Sequence, residues 1–367
     1  MKKYCDKESI KRIIGCIIFL WLAFQLFSNI TYLFRNVGGD RNRILGIKNE
    51  TDIDMIYIGG SAAFVYWQPM RAWKDCGFTS YSLATNTIQA ENIKTYMKWA
   101  EKYQDPQMYV IGVRAFQYYS DYSTELSEAG LRNGTDCMDI TFRARYDTLN
   151  NYFENRVIDE NTDKVSFYLD IAKYHTNTKN LALSEAWGYL NKEVVCPNKG
   201  WEWIKSYEYV DKPSDFYTQS RAELPENDIK ILEDLVRYCK ELNKNVLFVV
   251  CPYAITQEDK SKYNSIQDLI EENGFKFLDT NEYYDEMGID FSTDFYNEAH
   301  VNLFGASKYT QFLEGFICQN YEMPDHRNEE KYVSWNEEAA LFFEEEKVYA
   351  DIVTKLRADY EKDEENR

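Results

Sequence analysis

A serine, a histidine and the polar residues around each are the parts of this sequence that could do chemistry. Ser61 follows Gly59-Gly60 at the end of the apolar run Asp54–Ile58. A strand-to-helix turn exposes such a serine, and a glycine at position 60 lets backbone pass close to a bound ligand. The same triplet also suits an ordinary turn whose serine caps the next helix. His300 is one of only three histidines, with Asn297 three residues before it, Asp294 six before it, Glu298 two before it and Asn302 two after it. A general base needs its imidazole held in one tautomer through the other ring nitrogen. An Asp does this and also stabilises the imidazolium, whereas an Asn only orients the ring. Asn297 and Asp294 are both candidates for that role. A third stretch, Tyr81 to Gln89, offers oxyanion donors at Ala84, Thr85 and Asn86, joined by N–H groups around Gly60 and Ser61. A polar loop between strand and helix fits that stretch equally well. His175 and His326 read as surface or packing residues.

The elements that would position these groups follow from hydropathy. Asp54–Ile58, Met108–Val113, Asn245–Val250 and Phe275–Leu278 are short apolar runs suited to parallel strands buried on both faces. Helical patterns lie between them at Ile88–Tyr103 and Asn227–Leu242, and a helix from Gly305 to Cys318 closes the domain. This alternation predicts a three-layer α/β/α sheet, α/β in class, over about 48–327. From about 118 to 226 the rhythm breaks into Tyr, Trp, Asn and Asp, which reads as a mostly helical insertion over the carboxyl ends of the strands. Residues 328–367 form an acidic helical tail, where Trp335, Ala339, Leu341, Phe342, Val348 and Ile352 supply one apolar face for packing on the domain.

The N-terminus carries Lys2, Lys3, Lys7, Lys11 and Arg12, and then no charge from Ile13 to Phe34. That stretch spans about 33 Å as a helix, against a hydrocarbon core of about 30 Å. A signal peptide competes with this reading, but no small-x-small cleavage site follows, so residues 13–34 are expected to be a single-pass anchor behind a cytoplasmic segment 1–12. The charge balance leans towards an extracytoplasmic globular domain at the cell membrane. A formal charge of −19 offers no field for nucleic acid. The eight cysteines have no metal-ligand spacing and read as scattered small hydrophobes. Neither metal nor cofactor is implied.

Ile56-Tyr-Ile-Gly-Gly-Ser61, then Tyr81-Ser-Leu-Ala-Thr-Asn86, then Asn297-Glu-Ala-His300-Val-Asn302 together resemble the SGNH (GDSL-like) hydrolase family. The nearer likeness is to its membrane-anchored Gram-positive branch, distantly similar to the D-alanyl-lipoteichoic-acid protein DltD. Tyr109–Gln117, Thr135–Met138, Val246–Tyr253 and Met323–Arg327 support it, so the resemblance runs from about Lys48 to Trp335. It implies a flavodoxin-like SGNH fold, with Ser61 as nucleophile and His300 as base. It further implies a serine esterase or O-acyltransferase acting on acyl esters of a cell-envelope glycan, with a glycan or acyl donor as partner and a membrane-bound O-acyltransferase as a companion protein. The chain departs from the family at Asn297, where the family has Asp. It also lacks a block II glycine near Ala84-Thr85 and a block III asparagine beside Arg114, the residue that lies there and joins the oxyanion and substrate-binding candidates. A non-catalytic relative that keeps the fold, an envelope glycan-binding or assembly protein, is the alternative, with Trp187, Trp201 and Trp203 stacking on sugar rings. A phosphate-binding α/β domain is disfavoured, since no Lys follows the glycines.

Overall fold

The computed structural model describes residues 7–35, 39–119, 128–138, 142–155, 158–179, 182–191 and 193–365. Lys2 and Lys3 of the basic segment, and Asn366 and Arg367 of the tail, lie outside them. Helix α1 (Lys7–Phe34) carries the apolar stretch, and none of its most apolar window is covered by protein. That excludes the core helix of a soluble domain and fits a single-pass anchor beside a large extramembrane domain. Helix α2 (Gly39–Gly46) then leads into β1 (Met55–Gly59). Helices α3 (Ser61–Tyr66) and α4 (Pro69–Cys76) connect β1 to β2 (Ser80–Ala84), and α5 (Ala90–Ala100) connects β2 to β3 (Met108–Gly112).

After β3 come α6 (Arg114–Tyr119), α7 (Glu128–Asp136), α8 (Phe142–Asn155), α9 (Lys164–Tyr168), α10 (Asp170–Tyr174) and α11 (Leu183–Asn191). The sheet resumes with α12 (Glu226–Leu242), β4 (Asn245–Val250), α13 (Gln257–Glu272), β5 (Lys276–Asp279) and α14 (Tyr284–Met287). A small antiparallel hairpin, β6 (Phe295–Asn297) and β7 (His300–Val301), precedes α15 (Leu303–Asn320) and the long α16 (Val333–Glu365).

β1 to β5 make one fully parallel sheet in the spatial order β2-β1-β3-β4-β5. β1, β3 and β4 are apolar runs buried along nearly their whole length, as strands with helices on both faces must be. β2 is buried despite Ser80 and Ser82, and β5 is buried only at Leu278 and Asp279. Helices α3, α4 and α15 pack together, and α5 packs with α12, giving three layers. This strand order is that of the flavodoxin-type doubly wound sheet. The chain winds in opposite directions from β1 and β3, opening a crevice at their carboxyl ends.

The region between α6 and α12 is helical only in part. Residues 201–225 contain neither helix nor strand. This stretch is tied down by isolated long-range backbone bonds, Glu202 N–H to Phe64 O, Glu208 N–H to Phe295 O and Ala222 N–H to Ser261 O. Leu131, Leu149, Tyr152 and Phe167 form a second small core under α7 to α9. The Asn133 side chain on α7 reaches the Asn86 carbonyl at 2.6 Å, so the insertion touches the loop after β2.

α16 lies along α4 and α15. Trp335, Ala339, Phe342 and Val353 face the domain, whereas Leu341, Val348 and Ile352 are exposed, so the apolar residues of the tail divide between two faces. Trp201 and Trp203 pack against this helix: the Trp203 ring stacks on Phe342 at 4.7 Å, and its indole N–H donates to Glu345. Trp201 is buried and donates to the Val65 carbonyl. Neither indole is therefore a sugar-stacking platform.

Candidate active site

Ser61 is the first residue of α3, directly beyond the β1 carboxyl end, with Gly60 as N-cap at φ −82°. The backbone is relaxed here. A Cβ at Gly60 would meet Ile88 Cγ2 at 3.6 Å, so a side chain there would enter the space beside Ser61 without a backbone clash. The first N–H groups of any helix have no intrahelical acceptor, and those of Ser61 and Ala62 open α3 at the cleft.

His300 reaches the same place from the opposite end of the sequence. Its Nε2 lies 2.6 Å from Ser61 Oγ, and its Nδ1 lies 3.1 Å from Asn297 Oδ1. The proton positions follow from a third bond. Ala299 N–H, which can only donate, bonds Asn297 Oδ1 at 2.9 Å. The amide oxygen must therefore face Nδ1, so Nδ1 carries the proton and Nε2 is left to accept from the serine hydroxyl.

The hairpin carrying this pair is pinned on several sides. The Ala299 carbonyl accepts from Arg114 Nη1 at 2.7 Å and from the Tyr66 hydroxyl at 3.0 Å. The Glu298 carbonyl accepts from Ala254 N–H. The Asn302 amide caps α15 through Phe304 N–H at 2.9 Å and donates back to the Thr293 carbonyl at 2.8 Å. A Cβ on Gly305 would lie 2.6 Å from both the Asp294 carbonyl and Val301 Cβ, so only glycine lets α15 approach the hairpin this closely.

Asp294 is buried and serves this scaffold. Its carboxylate pairs with Lys308 at 2.6 Å and accepts from Asp290 N–H at 2.8 Å and the Thr293 hydroxyl at 2.9 Å. Asn297, not Asp294, is the residue bonded to the His300 ring.

The cleft in front of Ser61 encloses about 300 Å³ and is lined by Gly60, Ser61, Ala62, Thr87, Ile88, Arg114, Ala115, Ala299 and His300. Residues after β1, β2 and β3 thus meet at the crevice that the strand order creates. Of the donors expected after β2, Ala84 and Thr85 are wholly buried, and both the N–H and the amide of Asn86 turn to the Asp40 carboxylate. The residues that do line the cleft are Thr87, with a left-handed φ of 52°, and Ile88. Sequence reasoning passed over both, and the only cue was the polar Thr-Asn-Thr turn.

Arg114 is buried, with its guanidinium 4.2 Å from the Tyr253 ring centroid. The Tyr296 ring stacks against His300 at 5.5 Å. Burial, and then the Arg114 charge, lower the His300 pKa to about 3. The imidazole is therefore neutral across the physiological range and able to accept a proton, but its charged form is disfavoured. The architecture is compatible with hydrolase or transferase chemistry. Comparison of the chain with protein-family models and with curated proteins yields no match.

Proposed function

We propose that the chain is a membrane-anchored serine esterase or O-acyltransferase of the SGNH (GDSL-like) type, acting on acyl esters of a cell-envelope glycan. The observation that carries this reading is the continuous relay Ser61 Oγ, His300 Nε2, His300 Nδ1, Asn297 Oδ1, standing at the switch point of the sheet. Ser61 Oγ attacks the ester carbonyl while His300 Nε2 takes its proton. The tetrahedral oxyanion is received by the N–H groups of Ser61 and Ala62 at the start of α3, within the positive field of Arg114. The C–O bond of the ester then breaks, His300 returns the proton to the leaving alkoxide, and an acyl-serine remains. Water, or a sugar hydroxyl in a transfer reaction, attacks that ester through the same base. A cleft of about 300 Å³ with an apolar wall at Ile88, Ala62 and Ala115 suits a short acyl group.

The alternative of a non-catalytic glycan-binding protein loses two of its sequence arguments, because Trp201 and Trp203 are committed to α16. The deciding measurement is labelling with a fluorophosphonate, using wild type, Ser61→Ala and His300→Ala. Stoichiometric labelling of the wild type, lost in both variants, is expected. A folded wild-type protein that takes up no label would sink the hydrolase reading.

A further inference from the structure

The last turn of α1 is locked into the globular domain. Thr31 is buried, and Arg41, only 1 % exposed, donates to the carbonyls of Tyr32 at 2.8 Å, Leu33 at 3.3 Å and Arg35 at 2.8 Å. The last carbonyls of a helix run short of intrahelical donors; here the Tyr32 carbonyl accepts from the Arg35 N–H at 3.3 Å as well as from Arg41. The Arg41 guanidinium also lies between two rings, 4.5 Å from the Tyr32 centroid and 3.9 Å from that of Tyr189 on α11. Arg35 pairs with Asp170 of α10 at 2.5 Å, and the Asn177 amide donates to the Phe34 carbonyl at 2.9 Å. A hydrocarbon core needs about 20 predominantly apolar residues; Ile13 to Tyr32 is uncharged, and its polar members, Gln25, Ser28, Asn29 and Thr31, fall in its second half. The domain therefore begins where the span ends, with no spacer, and α11 stands beside that exit point.

α11 holds Tyr189 inward, and its other side is apolar and bare. Leu183 is 91 % exposed, Trp187 65 % and Leu190 48 %. They sit at i, i+4 and i+7, which places them on one stripe of the helix. Tryptophan is enriched at the membrane–water interface, and here it stands between two leucines on the bare face of α11. We propose that the Leu183–Trp187–Leu190 face of α11 is a second membrane contact, resting in the interface of the same bilayer that α1 crosses.

Two attachments fix tilt and rotation where one tether would fix only distance. Asn42 of α2 accepts the Tyr189 hydroxyl at 2.7 Å, and Asp40 of α2 holds the Asn86 backbone N–H at 3.2 Å, one residue before Thr87 at the cleft. α2 thus links the exit of the span to the loop that lines the cleft. This inference rests on α1 as a span and not on the chemistry of Ser61.

The test places a genetically encoded, environment-sensitive fluorophore at position 183, 187 or 190 of the full-length protein in lipid vesicles. A fourth label at Leu341, an exposed leucine of α16, the helix that packs on α4 and α15, serves as reference. Nitroxide carried on shallow lipid positions is expected to quench the three α11 labels severalfold more than the label at 341. Equal quenching at all four sites, in protein that co-sediments with the vesicles, overturns the proposal. Shielding that grows with protein density at fixed lipid, alongside a doubled particle mass, assigns the face to a second copy and overturns it too. Fluorophosphonate labelling of Ser61 is read separately, so failure of the hydrolase reading is distinguishable from failure of this one.

Discussion

Asn297 gives His300 its orientation but no charge. In the serine protease triad, replacing the carboxylate by an amide costs about 10⁴ in kcat, largely because the amide can fix the wrong tautomer. Here Ala299 N–H turns the amide oxygen towards Nδ1, so the tautomer is right and only the electrostatic part is missing. Asn297→Asp is therefore expected to raise kcat by a smaller factor, about 10–100-fold. A carboxylate beside Nδ1 also raises the His300 pKa. Activity requires the neutral imidazole, so the acidic limb of kcat/KM follows that pKa. Wild type should stay active down to about pH 3–4, given a His300 pKa near 3, whereas the Asp variant should lose activity at a higher pH. Coincident acidic limbs would show that position 297 does not act on the ring. The Asn297–His300 pair could be read because histidine is rare here and the two stand three residues apart. Ser61 stood out at the end of an apolar run, whereas its meeting with His300 is a contact across 239 residues of chain. The engagement of Asp294 by Lys308 was not legible, since that pairing depends on where α15 runs once the hairpin has folded. Nor was the turning of Asn86 to Asp40, a contact across 46 residues of chain.

The β6–β7 hairpin and α15 position His300, and their contact is steric at Gly305. Gly305→Ala would push Cβ into the Asp294 carbonyl and Val301, two groups that cannot swing aside. A loss of about 1–3 kcal/mol is expected, with a fall in kcat from a displaced hairpin. Gly315 lies on the same helix, and a Cβ there meets nothing within 4 Å. Gly315→Ala should instead stabilise by about 0.4–1 kcal/mol by limiting the unfolded chain. Thermal or denaturant unfolding of the two variants checks both signs, and shifts in the same direction would refute the steric account. At this scale four of the five strands were readable as short apolar runs, whereas β2, Ser80-Tyr-Ser-Leu-Ala84, alternates polar and apolar residues at its start and offers no such run. Residues 201–225 have no period of either kind and are held by single bonds to α3, the β6 region and α13, so nothing local announces their course. The terminal helix was read as apolar on one face, yet only part of that set points inward. The difference is set by Trp201, Trp203 and α4, which offer a surface to Phe342 and Ala339 and none to Leu341.

Across the whole molecule, the chain after α15 returns to the amino end of the sheet before α16 runs back along α4. His326 fastens that return. Its Nδ1 lies 2.6 Å from Glu329 Oε1, its Nε2 lies 3.3 Å from an Asp54 carboxylate oxygen just before β1, and its ring stacks on Tyr332 at 4.5 Å. Two carboxylates facing two ring nitrogens are satisfied only when both nitrogens carry protons. Burial works against the charge, but Glu329 and Asp54 outweigh it, and the pKa of His326 is raised. A group whose folded pKa exceeds its unfolded value of about 6.5 stabilises fully below that value. The contribution is lost as pH rises through the folded pKa. Wild type should therefore melt at a higher temperature than His326→Gln at pH 5.5, with the gap shrinking by pH 8.5. The effect is modest because the pair is partly solvated. A gap that stays constant from pH 5.5 to 8.5 would mean that His326 holds the tail through its stack on Tyr332 alone. In that case the charge of this site has no part in seating α16 on the domain.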